Sequence, residues 1–480
     1  MNFKTFKLED TICRALDTLG YTDALPVQSA VIPEILNQKD VIVKSKTGSG
    51  KTAAFVIPII QDLVWDERDP QAIVIAPTRE LALQIKEDFD NIGAYKRIKT
   101  VALFGKHPFQ IQVQDLRQRT HVIVATPGRL LDHLQNDTIR MDKIRYFVLD
   151  EADEMLNMGF IDDVEEIMAY LPTSRTTCLF SATMPQAIQE LANTFMQDAK
   201  LIEIEQENTV TQQVDHYAYT VKEQDKLEFL MKLLCEEKPE TCIIFGKTRE
   251  HVDDICSYIE RKGCSVDKIH GGMEQEERMR NMKAFKKGEI RILVATDVAS
   301  RGIDIENVTH IINFDMPDKT ETYVHRIGRA GRVEATGVAI SFIGQYDDQR
   351  VSELEEFLGY PLMIKEREKI DTLKITRAML DSLGIPEIQK EEKGKTLRKG
   401  TTKIYISAGK SKKMRPGNIV GMICEIEGVD GDDIGVINIQ ENQSYVDILN
   451  NKGKHVIEAL QDATFKGKKL KIQKAKERND

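Results

Sequence analysis

The chain has 480 residues, 41% hydrophobic and 30% charged, with a formal net charge of −10 at pH 7. At roughly 150 residues per domain this predicts three domains, or two large ones with an appendage, and it excludes collagen-like and wholly disordered classes. No run approaches the roughly 18 consecutive apolar residues of a membrane span, and the acidic balance, taken alone, argues against nucleic acid as a partner. The opening residues, from Met1 to Arg14, contain no apolar h-region, so a cytoplasmic protein is expected. Seven cysteines between Cys13 and Cys424 form no C-x-x-C pair and read as buried free thiols.

Short, almost fully apolar runs recur along the first 350 residues. They are Val41 to Val43, Ala72 to Ile75, Val122 to Val124 and Tyr146 to Leu149, then Cys242 to Phe245, Ile292 to Val294, His310 to Phe314 and Val338 to Phe342. Continuous apolarity rich in β-branched residues predicts parallel strands covered on both faces. Helix-period stretches lie between them, such as Glu80 to Phe89 and Glu274 to Phe285, so the pattern is βαβ and the fold α/β. The series occurs twice, with an acidic stretch from Ile202 to Thr209 read as the link. From Lys365 to Gly400 the chain is dense in Lys and Glu and reads as a charged, partly helical connector. A third pattern follows: strand Ile404 to Ile406, a helix carrying Ile419, Met422, Ile423 and Ile426, strands Ile434 to Ile439 and Ser444 to Leu449, a helix Val456 to Leu460, and a strand at Leu470 to Ile472. That βαββαβ order predicts a small α+β domain of split-βαβ type. The expected division is therefore 1–205, 206–365, a linker 366–402, and 403–480.

In open parallel sheets ligands bind beyond the carboxyl ends of the strands. The run ending at Val43 leads into Ser45-Lys46-Thr47-Gly48-Ser49-Gly50-Lys51-Thr52. Small residues let successive N–H groups turn around phosphates, Lys51 supplies charge to the outer phosphates, and the Thr52 hydroxyl can reach Mg²⁺. Glycine usually stands where Ser45 is. Tyr146 to Leu149 runs into Asp150-Glu151-Ala152-Asp153, and carboxylates at a sheet mouth are costly unless a cation neutralises them. After a P-loop the first would hold Mg²⁺ and its neighbour would handle the attacking water. The second repeat lacks a P-loop but carries His325-Arg326-Ile327-Gly328-Arg329-Ala330-Gly331-Arg332, arginines at a spacing suited to meet a γ-phosphate held by the other repeat.

With Gly20-Tyr21 through Gln28, Pro77 to Leu81, Thr126-Pro127-Gly128-Arg129, Ser181-Ala182-Thr183, Gln275 to Arg278, Thr296-Asp297 and Arg301 to Asp304 added in order, the first 350 residues resemble a DEAD-box RNA helicase. The resemblance implies two tandem RecA-like domains that hydrolyse ATP with Mg²⁺. It implies Gln28 at the adenine edge, an aromatic stacked on the ring (Phe3 rather than Phe6 by family spacing), and Gly302 and Asp304 in the nucleotide site. Glu151 would be the general base, Arg329 and Arg332 the arginine fingers, and Thr52 with Asp150 the Mg²⁺ site. Ser181 and Thr183 would couple hydrolysis to closure through Asp153. Arg79, Thr126, Gly128, Arg129, Gln275, Arg278 and Thr296 would face RNA. The sequence departs from the family pattern at Ala24-Leu25, at Lys106 after Gly105, and at Ser300.

The tail resembles an RNA-recognition motif, with Tyr405 outward in its first strand and available for stacking. Its second signature has Glu441 where a basic residue is usual, and Gln443 and Ile448 at aromatic positions. Readout on the sheet face therefore stands beside a second route, phosphate binding by Lys410, Lys412, Lys413 and Arg415, and by Lys466, Lys468, Lys469, Lys471, Lys474, Lys476 and Arg478. From Lys403 onward, 14 Lys or Arg stand against 11 Asp or Glu, so the acidic excess lies elsewhere. A DEAD-box core followed by such a tail is the arrangement of the bacterial DbpA-type helicases. That resemblance implies a cytoplasmic, monomeric enzyme that unwinds short duplexes in 23S ribosomal RNA during large-subunit assembly, with its tail docked on a hairpin of that RNA. Two rivals stay open: a processive DNA translocase, and an ATP-gated RNA clamp that holds RNA without unwinding it.

Overall fold

The computed structural model describes residues 1–45, 49–204, 214–297, 308–330, 337–384 and 400–475. The chain groups into two units, residues 1–205 with 393–480, and residues 206–392.

The first unit contains a seven-stranded parallel sheet. Its strands are β1 (Val41–Lys44), β2 (Ala72–Ile75), β3 (Thr100–Leu103), β4 (Val122–Ala125), β5 (Tyr146–Leu149), β6 (Thr176–Ser181) and β7 (Lys200–Glu203), in the order β3-β4-β2-β5-β6-β1-β7. Alternate strand residues serve two cores. Val41, Val74, Val124, Val148 and Phe180 pack beneath helices that include Pro26–Leu36, Lys51–Asp62 and Arg79–Ile92. Ile73, Ile123, Phe147 and Leu179 pack beneath Pro127–Gln135, Ile161–Ala169 and Gln186–Phe195. Burial on both faces is why β1, β2, β4 and β5 read as continuous apolar runs, whereas the equally buried β6 carries Thr and Ser and does not. The edge strand β7 does not: Leu201 is exposed and Ile202 buried. Lys200–Glu203 therefore belongs to the sheet, although the sequence reads as a link from Ile202.

The second unit repeats the topology. Strands β8 (Val214–Thr220), β9 (Cys242–Phe245), β10 (Val266–Ile269), β11 (Ile292–Ala295), β12 (His310–Asn313), β13 (Gly337–Ile343) and β14 (Met363–Ile364) lie in the order β10-β11-β9-β12-β13-β8-β14, all parallel. Counted from each unit's first strand, this is the order of the first sheet. Helices Glu368–Asp371 and Arg377–Ser382, from the stretch read as a connector, pack on this unit, with Ile370 and Leu383 in its core.

The tail forms a four-stranded antiparallel sheet from β15 (Thr402–Ile406), β16 (Ile434–Ile439), β17 (Ser444–Ile448) and β20 (Ile472–Lys474), ordered β16-β17-β15-β20. Helices Pro416–Cys424 and Gly453–Ala459 complete it. The last strand begins at Ile472, after a two-stranded hairpin of β18 (Thr464–Phe465) and β19 (Lys468–Lys469). Leu470 and Ile472 are both buried, so the apolar pattern did not distinguish loop from strand there. Asp433 is buried; its carboxylate accepts from Asp430 N and Asn450 Nδ2 and pairs with Lys452 at 2.7 Å. All seven cysteines are unpaired, but Cys13 is only half-buried and Cys424 is exposed.

One buried group sets a pH dependence. His121, just before β4, accepts from Lys99 N at 2.9 Å on Nδ1, so its Nε2–H donates to Trp65 O at 3.0 Å. A second ring proton would face the Lys99 N–H, and burial pushes the imidazole down to about 4. The unfolded state takes up that proton near pH 6.5, while the folded state resists until about pH 4. Stability is therefore full above about pH 6.5 and falls as pH drops toward 4, by about 3 kcal/mol in total. Trp65 is the sole tryptophan, so its fluorescence in urea titrations follows this unit. His121→Gln should flatten the acid limb; an unchanged pH slope in that variant would refute the assignment.

Candidate functional site

The strand order sets the site. In the run β5-β6-β1, three adjacent carboxyl ends carry Asp150-Glu151, Ser181 and Ser45, about 4.8 Å apart per strand step. Ser45 Oγ lies 3.1 Å from Ser49 Oγ, and the buried Lys51 donates to Ser45 O at 3.1 Å, so Lys51 Nζ is folded back into the loop mouth. Lys46, Thr47 and Gly48 lie outside the described residues. Gly50 has φ +85°, and a Cβ there would come within 2.6 Å of Gln28 Nε2 and 2.7 Å of Leu25 Cδ1. Only glycine meets both constraints. Thr52, partly buried, occupies the next helical position.

Gln28 is buried in the helix Pro26–Leu36. Its Nε2 donates to Gly50 O at 3.2 Å and its Oε1 accepts from Leu25 N at 2.9 Å. An amide carries two donor hydrogens and two acceptor lone pairs, so one of each remains for an adenine edge. The same Leu25 and Gln28 that depart from or match the family pattern thus brace the P-loop. Phe3 is buried edge-on between Phe6 at 6.2 Å and Tyr21 at 6.1 Å, while Phe6 keeps partial exposure.

Asp150 is buried. Burial pushes its carboxyl above the usual range, the Lys51 charge pulls it back, and Glu151 N donates to it at 3.1 Å. A buried carboxylate beside a phosphate-binding loop fits a divalent cation. Among the described residues no three His, Cys, Asp or Glu converge as a protein cage; Mg²⁺ takes one or two protein ligands beside waters and substrate phosphates, and Asp150 with Thr52 could supply them. Glu151 holds φ +54°, ψ +52°, a left-handed conformation costly for a non-glycine residue and common at functional sites. It caps the short helix Ala152–Asn157 from outside and is not fully buried. Asp153 Oδ2 accepts from both the backbone and hydroxyl of Thr183 at 2.9 Å, and Asp153 N donates to Ser181 Oγ at 3.2 Å. The ends of β5 and β6 are therefore bolted together.

The other half of the sheet, β3-β4-β2, carries the second motif group. Thr78 caps the helix Arg79–Ile92, and the Arg79 guanidinium sits 4.2 Å above the Phe104 ring. Thr126 and Gly128 open the helix Pro127–Gln135; Arg129 donates to His107 O at 2.9 Å and Gln112 Oε1 at 2.8 Å. Gln112, buried and unmarked by any sequence pattern, also donates to Phe104 O. Lys106 has φ +59°, which explains why glycine is usual there. In the second unit the equivalent strands β10-β11-β9 lead to Gln275 and Arg278 in the helix Gln275–Lys287 and to buried Thr296 after β11.

The arginines of 325–332 divide by geometry. Arg326 is buried; it grips Asp297 through both carboxylate oxygens at 2.6 and 2.7 Å and donates to Asn313 Oδ1 and Asp315 O. Asp315 is held below the usual carboxylate range despite burial, by His251, Lys226 and Lys247 N. These are structural ties that the regular spacing of arginines conceals. Arg329 lies beyond the helix Thr320–Ile327, partly exposed. Gly302, Asp304 and Arg332 lie outside the described residues.

In the tail, Tyr405 pairs across the strands with Tyr445, their rings 5.8 Å apart, on the face opposite buried Ile404 and Ile406. Lys412, Lys413 and Arg415 are exposed around the N-terminus of the helix Pro416–Cys424, with Lys412 Nζ on Ser407 O. Lys468 and Lys469 are exposed on their hairpin, Lys469 paired with Asp462.

Three family descriptions match along the chain: DEAD/DEAH box helicase over residues 25–191, helicase conserved C-terminal domain over 225–334, and DbpA RNA binding domain over 403–474. The ATP-dependent RNA helicase DbpA of Bacillus subtilis is 47% identical over 475 residues, spanning 99% of both chains. The chain belongs to the DEAD-box family of ATP-dependent RNA helicases. The helicase is also 43% identical to the DEAD-box ATP-dependent RNA helicase CshA of Geobacillus kaustophilus, over 71% of this chain and 73% of that one. Among solved structures it is similar to S. cerevisiae Dbp5 bound to RNA and ADP BeF3, with TM-score 0.70 and 28% identity over 80% of this chain and 99% of that one. Mss116p bound to single-stranded RNA and AMP-PNP gives TM-score 0.69 and 31% identity over 79% and 81%. The helicase thus has two RecA-like domains, consumes ATP, and carries an RNA-binding tail. Among its described residues no helix is long and apolar enough to cross a membrane.

Proposed function

We propose that this helicase is an RNA-stimulated ATPase that locally unwinds short duplexes of 23S ribosomal RNA during assembly of the large ribosomal subunit, acting as a cytoplasmic monomer. The observation that carries the enzymatic part is the convergence of Lys51, Asp150, Glu151 and the Asp153–Thr183–Ser181 tie on three adjacent strand ends. The RNA target rests on the DbpA RNA-binding domain over 403–474. The work divides among residues 1–205, residues 206–365 with the two helices of 368–382 packed on them, the remainder of the expected linker up to 402, and the tail 403–480.

In this reading Gln28 and Phe3 select adenine, Gln28 at its edge and Phe3 against its ring. The loop from Ser45 to Thr52 cradles the phosphates, with Gly302 and Asp304 completing the nucleotide site. Thr52 and Asp150 would hold Mg²⁺, which would supply positive charge against the phosphates. Glu151 accepts the proton of the attacking water. Arg329 and Arg332 stabilise the charge that develops on the transferred phosphoryl group. RNA-side residues Arg79, Thr126, Gly128, Arg129, Gln275, Arg278 and Thr296 grip the backbone, and the Asp153 tie passes closure to the hydrolytic end. The tail anchors on structured RNA through Lys412, Lys413, Arg415, Lys468 and Lys469, with Tyr405 available to stack. This raises the local concentration of the core near its duplex.

The test compares ATPase stimulation by ribosomal, transfer and homopolymer RNA, together with strand displacement on a short duplex. Ribosomal RNA should stimulate best, and removing residues after about 400 should abolish that preference while leaving RNA-stimulated hydrolysis. Equal stimulation by all RNAs would sink the targeting; hydrolysis without displacement would favour the clamp.

A further inference from the structure

The motifs occupy the carboxyl ends of the strands, but a positive surface of the first unit lies at the amino ends, beside Arg415 of the tail. There the tail meets the residues that precede β3 and β4. A cavity of about 360 Å³ opens between them, with Trp65, Met414, Val436, Ile437 and Ile439 supplying apolar wall. Its lining holds seven cations, Arg68, Arg97, Lys99, Arg117, Arg119, Lys410 and Arg415, and no Asp or Glu.

Some of these cations have structural work. Arg97 donates to Ile434 O at 2.7 Å and to Gly431 O, clasping the tail, and Arg119 lies 4.5 Å above the Trp65 ring with Asp66 at 3.9 Å. Lys99 Nζ reaches only the Asp115 carbonyl at 3.5 Å, and burial pushes its ammonium down to about 8. Arg68, Arg117, Lys410 and Arg415 are exposed and have no acidic partner among the described residues. Like charges gathered around one cavity repel, and a polyanion laid between them removes that cost. A planar guanidinium array suits phosphate oxygens, and the apolar wall suits ribose and base faces.

We propose that this groove binds the sugar–phosphate backbone of structured RNA, in continuity with the RNA held by the tail. The inference rests on the reading of the tail as an RNA-docking module. It adds a contact, contributed by the first RecA-like domain, that lies at the opposite end of the sheet from the helicase motifs. RNA anchored on the tail would then run across the domain boundary, fixing the tail against the core when substrate is bound.

The sole tryptophan lines the groove, so the full-length protein carries its own probe. A hairpin RNA with a double-stranded extension is titrated while Trp65 fluorescence is read, and affinity is measured across a salt series. RNA should change the Trp65 emission. Arg68→Ala with Arg117→Ala should weaken binding about tenfold at low salt and reduce the salt slope by roughly 1.5, the share of two phosphate contacts. The comparison is Lys412→Ala with Lys413→Ala in the tail, with circular dichroism to verify folding of both variants. Unchanged affinity and slope for the Arg68/Arg117 variant, with weakened binding for the tail variant, overturns the groove and leaves tail docking standing. If neither variant weakens binding, the groove and the tail reading both fall.

Discussion

Glu151→Gln should lower RNA-stimulated ATP hydrolysis by about 10²–10⁴-fold while ATP and RNA still bind, because the amide keeps the side chain's size but cannot take a proton. The geometry makes this a sharp expectation. Glu151 sits at φ +54° directly after β5, and its N–H is spent on Asp150, so the backbone is fixed at the strand end two strands from the one that leads into the phosphate loop. Glutamine can hold the same backbone conformation, and folding should not change. Single-turnover hydrolysis at saturating ATP and RNA separates the chemical step from binding. A rate near wild type would move the base elsewhere, and a loss of nucleotide affinity would show that Glu151 helps hold the ground state.

The second large effect concerns two arginines three residues apart. Arg326→Ala should destabilise the second unit by about 3–5 kcal/mol, because it strands the Asp297 carboxylate and the Asn313 and Asp315 oxygens that the guanidinium satisfies. Hydrogen exchange in β11 and β12 should report that loss directly. Arg329→Ala should leave this protection intact and cut RNA-stimulated hydrolysis by about 10³-fold or more, the size of a lost arginine finger. Stable folding of the Arg326 variant, or faster exchange in the Arg329 variant, would reverse the division of roles.

Spacing along the chain does not separate these two roles. The run from His325 to Arg332 presents its arginines at equal spacing, and nothing in the spacing says which is buried. Burial of Arg326 depends on Asp297 and Asn313, which arrive from two other strands. Edge strands escaped for a related reason. Val266–Ile269 and Lys200–Glu203 carry polar residues because one side of each strand has no covering neighbour, so neither looks like the apolar runs of the sheet centre. Gln112 and Arg97 carried no motif at all; their importance lies in what they touch.

The available chemistry is written locally in the chain. Its phosphate loop, paired carboxylates and spaced arginines define a nucleotide-hydrolysing class, and continuous apolar runs define parallel strands, because both signals are local in the chain. The net charge of −10 bounded solubility but not the partner, since it averages over basic clusters and an acidic remainder. Which strand ends become neighbours depends instead on the folded sheet order. The order β3-β4-β2-β5-β6-β1-β7 gathers Ser45, Asp150 and Ser181 in one half of the sheet and the Arg79 and Thr126 motifs in the other. Likewise, cations from Arg68 to Arg415 are scattered along the sequence and meet only where the tail packs on the first sheet's amino ends. Electrostatic fields depend on distance in space, and separation along the chain does not report it.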